Sequence, residues 1–327
     1  MALLSTTTNR PNQALATGNE LALTIEEFSG MVEGTIARKS ALQGFVNVKP
    51  VKGTSTLTNY GVGESTLGKV TPGSMPDGTV TEFNRKFLTV DTLVYARATL
   101  PLLDTFQTQF DTRSEIAGEH GKKIAKFWDQ SFFIQAAKAA QLAGSTFGAL
   151  NGHAGGSTVT LAAAGDKLDP AKIYKAIADL FIIMEGKDVD PKNDDVMIAV
   201  RPDIFYTLQQ AEQIVNGEYI TSNGTKLEGQ AIFKTFGVPV ISSNNVPNSV
   251  ISGHLLSNAG NSNAYDGDFS KLAVLAFSPR ALLAGETIPL TNDVFYDKLT
   301  KQWFVDSHLS YGVTPNRAEY AGAILLP

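Results

Sequence analysis

Residues 103–141 read LDTFQTQFDTRSEIAGEHGKKIAKFWDQSFFIQAAKAAQ. The stretch has no proline, and Leu103, Phe106, Phe110, Ala117, Ile124, Trp128 and Phe132 follow one another at steps of 3, 4, 7, 7, 4 and 4. Those steps keep one face of a helix apolar. The opposite face carries Glu115, Glu119, Lys122, Lys123 and Lys126, with Glu119 spaced to meet Lys123 one turn on. A helix over 103–141 would be about 55–60 Å long at about 1.5 Å per residue. Helices of compact domains average about 11–12 residues, so this one is either a coiled-coil arm or the girder of an elongated subunit. A coiled coil needs an unbroken heptad seam. Gly118 and Gly121 interrupt it, which favours a girder that is weakened or bent at those glycines. Beyond Phe127 the pattern is apolar on most sides (Trp128, Phe132, Phe133, Ile134), so that end is expected to be buried on several sides.

The chain has 327 residues, enough for one large domain or two modest ones. Charged residues make up only 18% and glycines number 29, against a usual charged quarter. That composition fits a surface largely covered by neighbours in an assembly. A net charge of −5 implies no general affinity for nucleic acid. With no cysteine, disulfides and thiolate metal sites are excluded. No apolar run approaches the ~20 residues of a membrane span. Residues 1–20 have neither a basic leader nor a continuous apolar core, so a soluble protein made inside the cell is expected.

Residues 1–20 are polar and read as an arm, followed by a helical patch from Leu23 to Ile36 and an extended run to Val51. Residues 52–78 form the segment richest in Gly, Ser, Thr and Pro. Strand signals flank it, Thr54 to Tyr60 before and Val80 to Leu100 after, which predicts a long hairpin that ends at Pro101. The Gly-rich loop 144–156 follows the long helix. A short strand is then expected at Thr158–Leu161. Asp169 and Pro170 are placed as N-cap and first helical residue, with Ile173, Ile177, Leu180, Phe181 and Met184 as the buried face. The continuous apolar run Val196–Val200 reads as a central strand, Arg201-Pro202-Asp203 as the start of a helix, and Val238–Ile241 as another strand. From Lys271 onward strands dominate, with a last one over Ala321–Leu326.

Motifs that could carry chemistry fail one by one. Gly63 to Lys69 has P-loop spacing, but Val70 stands where a Ser or Thr must hold magnesium. His120, His153, His254 and His308 are scattered and make no metal pair; His120 is expected to be packed or paired. Asp188 to Asp195 is acidic, yet Lys192 replaces a calcium ligand and the glycine of the sixth position is missing. Asn223-Gly-Thr225 reads as a turn, and there is no GxSxG or GxGxxG. No catalytic, cofactor or metal site is expected. An α/β ligand-binding protein or enzyme centred on 166–270 stays open as the rival of another class, although it shows no convergent polar groups.

Several stretches, taken in order, resemble one family. They are Phe87-Leu-Thr-Val-Asp91 with Leu93-Val-Tyr95, Phe110-Asp-Thr-Arg-Ser-Glu115 with Ala117 and Gly121, Val200-Arg-Pro-Asp-Ile-Phe205 with Leu208, Gly237-Val-Pro-Val-Ile-Ser-Ser-Asn244, and Tyr311-Gly312 with Arg317, Glu319, Ala321, Gly322 and Ala323. Over roughly residues 20–327 the chain resembles the major capsid proteins of tailed bacteriophages. Their fold is the α+β Hong Kong 97 type, and the likeness points to the short-tailed podoviruses of the autographivirus group. The resemblance implies an N-terminal arm over 1–45 and an extended hairpin loop over 46–100. It implies a peripheral domain over 101–165 and 270–311, with the spine helix at about 103–141, and an axial domain over 166–269 and 312–327. It further implies a non-enzymatic shell protein without cofactor, placed in the virion capsid and assembled in the bacterial cytoplasm. Its partners would be copies of itself in hexamers and pentamers, a scaffolding protein, a portal, a decoration protein and packaged double-stranded DNA, with no membrane. A cellular encapsulin-type nanocompartment is a variant of the same fold. On this reading Gly61, Gly63, Gly68, Lys69 and Gly73 of the loop, and Asp111, Arg113, Glu115, Glu119, Lys122, Lys123 and Lys126 of the spine, are the expected contacts between subunits, with the glycines as flexible points.

Overall fold

A computed structural model describes residues 40–73, 78, 80–102, 112–210 and 233–327. The expected arm, the helical patch before Ile36, residues 103–111 and the Asn223–Thr225 turn lie outside these. The long helix, α1, spans Thr112–Gln141, 30 residues or about 45 Å. It runs without interruption through Gly118 and Gly121. From Ser131 to Ala140 every residue but Lys138 is buried, more completely than the several sides expected from the pattern.

The chain divides into two compact units. The larger contains Ala41–Asp91, Asp129–Thr287 and Tyr311–Pro327. Its centre is a six-stranded sheet of β5 (Ser157–Thr160), β6 (Met197–Val200), β7 (Phe233–Thr235), β8 (Val238–Ser242), β11 (Leu272–Phe277) and β14 (Ala321–Leu325), in the order β5-β14-β11-β6-β8-β7. β6 pairs parallel with β8 and antiparallel with β11, so the run at 196–200 is indeed a central strand. Helix α2 (Pro170–Glu185) and helix α3 (Pro202–Gln209) share a core with Ile198, Val200, Val274 and Ala276. The alternate residue Phe277 meets Phe133 of α1 edge to face at 6.2 Å. A sheet covered on both faces explains why its inner strands are apolar without alternation. α2 begins as expected: the Asp169 carboxylate accepts from Ala171 N (3.1 Å) and Lys172 N (3.4 Å), and Pro170 occupies the first turn, where no N–H is needed.

The other unit contains Thr92–Trp128 and Ile288–Ser310. Strand β4 (Val94–Pro101) pairs antiparallel with β13 (Gln302–Pro315), and β13 neighbours β12 (Leu282–Asp297). Arg97 stands opposite Asp306, 2.6 Å from its carboxylate, and its guanidinium lies 5.5 Å from the Tyr95 ring centre. On the other face of β13, Ser307 Oγ is 3.3 Å from Nδ1 of buried His120. His120 is thus packed and partnered, as the sequence suggested.

One expectation needs correction. The strand predicted over Val80–Leu100 is two strands, β3 (Phe83–Thr89) and β4, in different sheets. β3 pairs with β2 (Thr56–Val62), and the hairpin is closed by Val90 N donating to Ser55 O at 2.9 Å. Beyond Thr92, β4 finds its partner in β13, more than two hundred residues away. The short strands β1 (Val48–Pro50), β9 (Val250–Ile251) and β10 (Gly267–Asp268) complete the list among the described residues. β1 lies parallel to β12 at a sheet edge.

Between β9 and β10 the chain is held by polar side chains. Asp266 accepts from Ser257 Oγ (2.6 Å) and from the backbone N–H groups of Gly253 (2.8 Å) and His254 (3.0 Å). These bonds hold its carboxyl below the usual carboxylate range. His254 stacks on Tyr265 at 5.1 Å, and its Nδ1 accepts from Leu256 N. Burial pushes the imidazoles of His254 and His120 below the ordinary value of about 6.5. The folded chain keeps both rings neutral while the unfolded chain takes up protons. Their stabilising contribution is therefore complete above about pH 6.5 and is lost as pH falls below it. Urea midpoints are expected to drop between about pH 7 and pH 5, and His254→Asn, which keeps an acceptor near Nδ1, flattens that drop. A midpoint unchanged over this window would refute the assignment of neutral rings.

Candidate subunit-contact surface

The β2–β3 ribbon is in plain antiparallel register from Thr56 opposite Thr89 to Val62 opposite Phe83. Residues directly opposite share a face. One face therefore carries Leu57 and Leu88, Asn59 and Lys86, Gly61 and Asn84; the other carries Thr58 and Phe87, Tyr60 and Arg85, Val62 and Phe83.

The first face is seated within the larger unit. Leu57 packs with Leu88, Val90 and Leu283. Asn84 Nδ2 donates to Phe147 O at 2.6 Å, and Asn59 Nδ2 donates to Asn316 Oδ1 at 2.8 Å. Gly61 lies on the Phe147 ring, where a Cβ would stand 2.8 Å from the ring carbons. The seat is the Gly-rich loop 144–156. Its His153 ring contacts Phe147 at 5.0 Å; Nε2 donates to Val62 O at 3.1 Å, and Nδ1 is 3.4 Å from Glu319 Oε1. Glu64 N donates to Asn151 O at 3.0 Å.

The second face is left open. Tyr60 is 66% exposed, Phe83 69%, Phe87 61% and Val62 51%. Scattered exposed apolar residues are ordinary, whereas four on one face of one ribbon are the kind of patch that interaction surfaces present. Leu67 and Val80, nearer the tip, are also exposed.

The glycines of the loop divide into two kinds. Gly61 is buried within β2 and is required by the close approach of Phe147, which corrects its expected role as a flexible point. Gly63 is pinned by its N–H to Glu82 O at 2.8 Å, and a Cβ there would be 3.2 Å from Leu150. Gly68 and Gly73 have open space around them, and Gly73 has φ +89°, a conformation suited to glycine. Lys69 is exposed.

On α1, Asp111 lies outside the described residues, and Arg113 is placed in the first turn by its backbone alone. Glu115 is exposed in that turn, favourably near the helix N-terminus. Glu119 pairs with Lys122 at 2.6 Å, three residues on, and not with Lys123 as spacing alone suggested. Each holds the other in its charged form: Lys122 keeps the Glu119 carboxyl below its usual range and is itself raised. Lys122, Lys123 and Lys126 are all exposed. The helix residues thus form a charged, solvent-facing row; the open apolar face of the ribbon is one that the sequence did not single out. That face was hidden because its parity depends on the register, which the long Gly-rich tip obscures; the matching parity of Tyr60 with Val62 and of Phe83 with Phe87 was the available signal.

The acidic loop after α2 is closed on itself. Asp190 accepts from Lys192 N and Asn193 Nδ2, and Asp194 takes Arg280 at 2.7 Å. Among the described residues no group of His, Asp and Glu is placed to hold a metal ion, and no helix is long and apolar enough to cross a membrane.

No protein-family model and no curated protein matches the sequence. Solved structures do. The chain is similar to the capsid protein of cyanophage P-SCSP1u, with a TM-score of 0.74 at 17% identity over 88% of each chain. It is similar to the mature capsid protein of bacteriophage PhiM1, with a TM-score of 0.73 at 22% identity over 88% of this chain and 87% of that one. A weaker likeness, TM-score 0.54 at 10% identity, covers 93% of this chain and 99% of the subunit of a virus-like particle from Pyrococcus furiosus. With its long helix, seated ribbon and mixed sheet, the chain has the α+β fold of phage capsid proteins, the Hong Kong 97 type.

Proposed function

We propose that this chain is the structural subunit of a phage capsid, many copies of which close into an icosahedral shell around the genome. The observation that carries this reading is the ribbon with one face seated on its own subunit and the other apolar and bare. A neighbouring copy covers that face. Each such contact is weak, and the shell is stable because every subunit makes several at once. The role is associative, with no catalytic step.

On this reading the β2–β3 ribbon is the working part of the extended loop expected over 46–100, since β4 belongs to the sheet of β13. The axial domain expected over 166–269 and 312–327, which gathers into hexamers and pentamers, also takes in β5 and β11, because one sheet joins them to β6, β8 and β14, and the rest of 101–165 and 270–311 forms the peripheral domain. Arg113, Glu115, Glu119, Lys122, Lys123 and Lys126 serve as a polar contact row, and Lys69 with Gly68 and Gly73 as the loop tip. A scaffolding protein, a portal and a decoration protein are the further partners of such a shell, and double-stranded DNA its cargo. Short-tailed podoviruses of the autographivirus group are the proposed source, and the bacterial cytoplasm the place of assembly. A cellular nanocompartment is the second reading, favoured only by the near-complete coverage of the Pyrococcus particle subunit.

Negative-stain electron microscopy of the purified chain, with and without a co-expressed scaffold, tests the proposal. Closed shells, hexameric rings or tubes are expected. A compact monomer under every condition would overturn it.

A further inference from the structure

We infer that a basic cleft at the root of the ribbon, inside the larger unit, binds an acidic peptide segment of a protein partner. The cleft has a volume of about 460 Å³ and is lined by Lys49, Arg280 and Arg317, with Asn47 and Tyr60 beside them and Leu282 and Leu283 in its wall. No carboxylate lines it, in a chain whose net charge is −5. Among the described residues Lys49 and Arg317 have no ion-pair partner, and Arg280 has one, Asp194. Lys49 and Arg317 have no counter-charge and Arg280 shares its one carboxylate with neither, so an added anion is attracted to the group; two of the three are guanidiniums, whose forked donors suit carboxylate and phosphate alike.

Two features select a peptide over a phosphodiester backbone. The exposed Tyr60 ring, beside a wall formed by Leu282 and Leu283, offers an apolar contact that a nucleic-acid backbone cannot use and that an apolar side chain interleaved with carboxylates can. Among the described residues β1, which carries Lys49, also ends its sheet, so one side of its backbone has no strand partner there and can receive an extended chain. The site is held ready by its own bonds. Asn316 N donates to Ala281 O at 2.8 Å, Asn316 Nδ2 donates to Arg280 O at 3.3 Å, and Asn59 donates to Asn316 Oδ1. A pre-ordered site loses little entropy on binding.

The test is fluorescence anisotropy on the full chain, with a labelled peptide of alternating Glu and Leu, its Lys-Leu counterpart and a labelled DNA duplex. The acidic peptide is expected to bind saturably and to weaken as salt rises. Lys49→Glu and Arg317→Gln each weaken it on the order of tenfold, the weight of one charge-assisted pair, while Lys298→Glu in the exposed turn between β12 and β13 leaves it unchanged. Lys49 is exposed and unpaired, so its variant is expected to fold, as circular dichroism will show. Absence of peptide binding, equal binding by Lys49→Glu, or Lys49-dependent binding of the duplex in place of the peptide would each overturn the inference. The measurement does not depend on shell formation and can fail or succeed apart from it.

Discussion

Replacing Phe83 and Phe87 together by aspartate is expected to abolish shell formation while leaving the subunit folded. Both rings lie on the open face of the ribbon. Covering a phenylalanine contributes about 1.5–3 kcal/mol, so the pair accounts for roughly 3–6 kcal/mol of each contact. Losing it weakens association by about two to four powers of ten per contact, and the burial of two new carboxylates opposes assembly further. Fold stability is spared because the residues that hold the ribbon down, Leu57, Leu88, Gly61 and Asn84, belong to the other face. Sedimentation and electron microscopy read assembly, and circular dichroism reads the fold. Normal particles from the double variant would remove the ribbon face from the contact and with it the main support for the shell reading.

Gly156→Ala is expected to destabilise the larger unit by about 3 kcal/mol, the upper range for forcing atoms into a packed site. A Cβ at Gly156 would stand 2.2 Å from Ala140 O and 2.3 Å from Ala139 O, backbone atoms at the end of α1 that cannot swing aside. The approach is close because the chain reverses there: Gly156 N donates to Leu142 O at 2.8 Å, and Ser157 starts β5. Lys187 fastens the same turn, its Nζ donating to Gly155 O, Gly156 O and Ser157 Oγ at 3.1, 2.7 and 2.9 Å. Urea unfolding followed by far-ultraviolet circular dichroism, which reads the strands and helices of the larger unit, measures the loss. A change below about 1 kcal/mol would mean that the end of α1 yields and that the reversal is looser than its geometry.

Much of this fold is written locally and was legible. The Asp169-Pro170 start of α2, the apolar run of β6 and the apolar end of α1 follow from residues within a turn or two of each other. What escaped depends on distant partners. Nothing between Val90 and Leu93 breaks the strand pattern, so the parting of β3 from β4 is decided by β13. Gly61 looked like a pivot because the ring that needs the space, Phe147, is far along the chain. The loop from Gly253 to Asp266 has no hydrophobic period, since Asp266, Asn258 and Asn261 organise it through hydrogen bonds to nearby backbone. The charged row on α1 could be listed from its sequence, whereas the open apolar face of the ribbon required the strand register.

A two-stranded sheet has no interior strand, and β2–β3 is such a sheet among the described residues. Its outer edges and its open aromatic face are the features by which chains stick to one another without order. If the proposed shell role holds, a subunit built this way is poorly suited to stockpiling: the longer it waits uncovered, the more chances it has to meet a wrong neighbour. On that reading the rate of synthesis and the rate of ordered docking are tied, and the yield of correct particles becomes a matter of timing as much as of affinity.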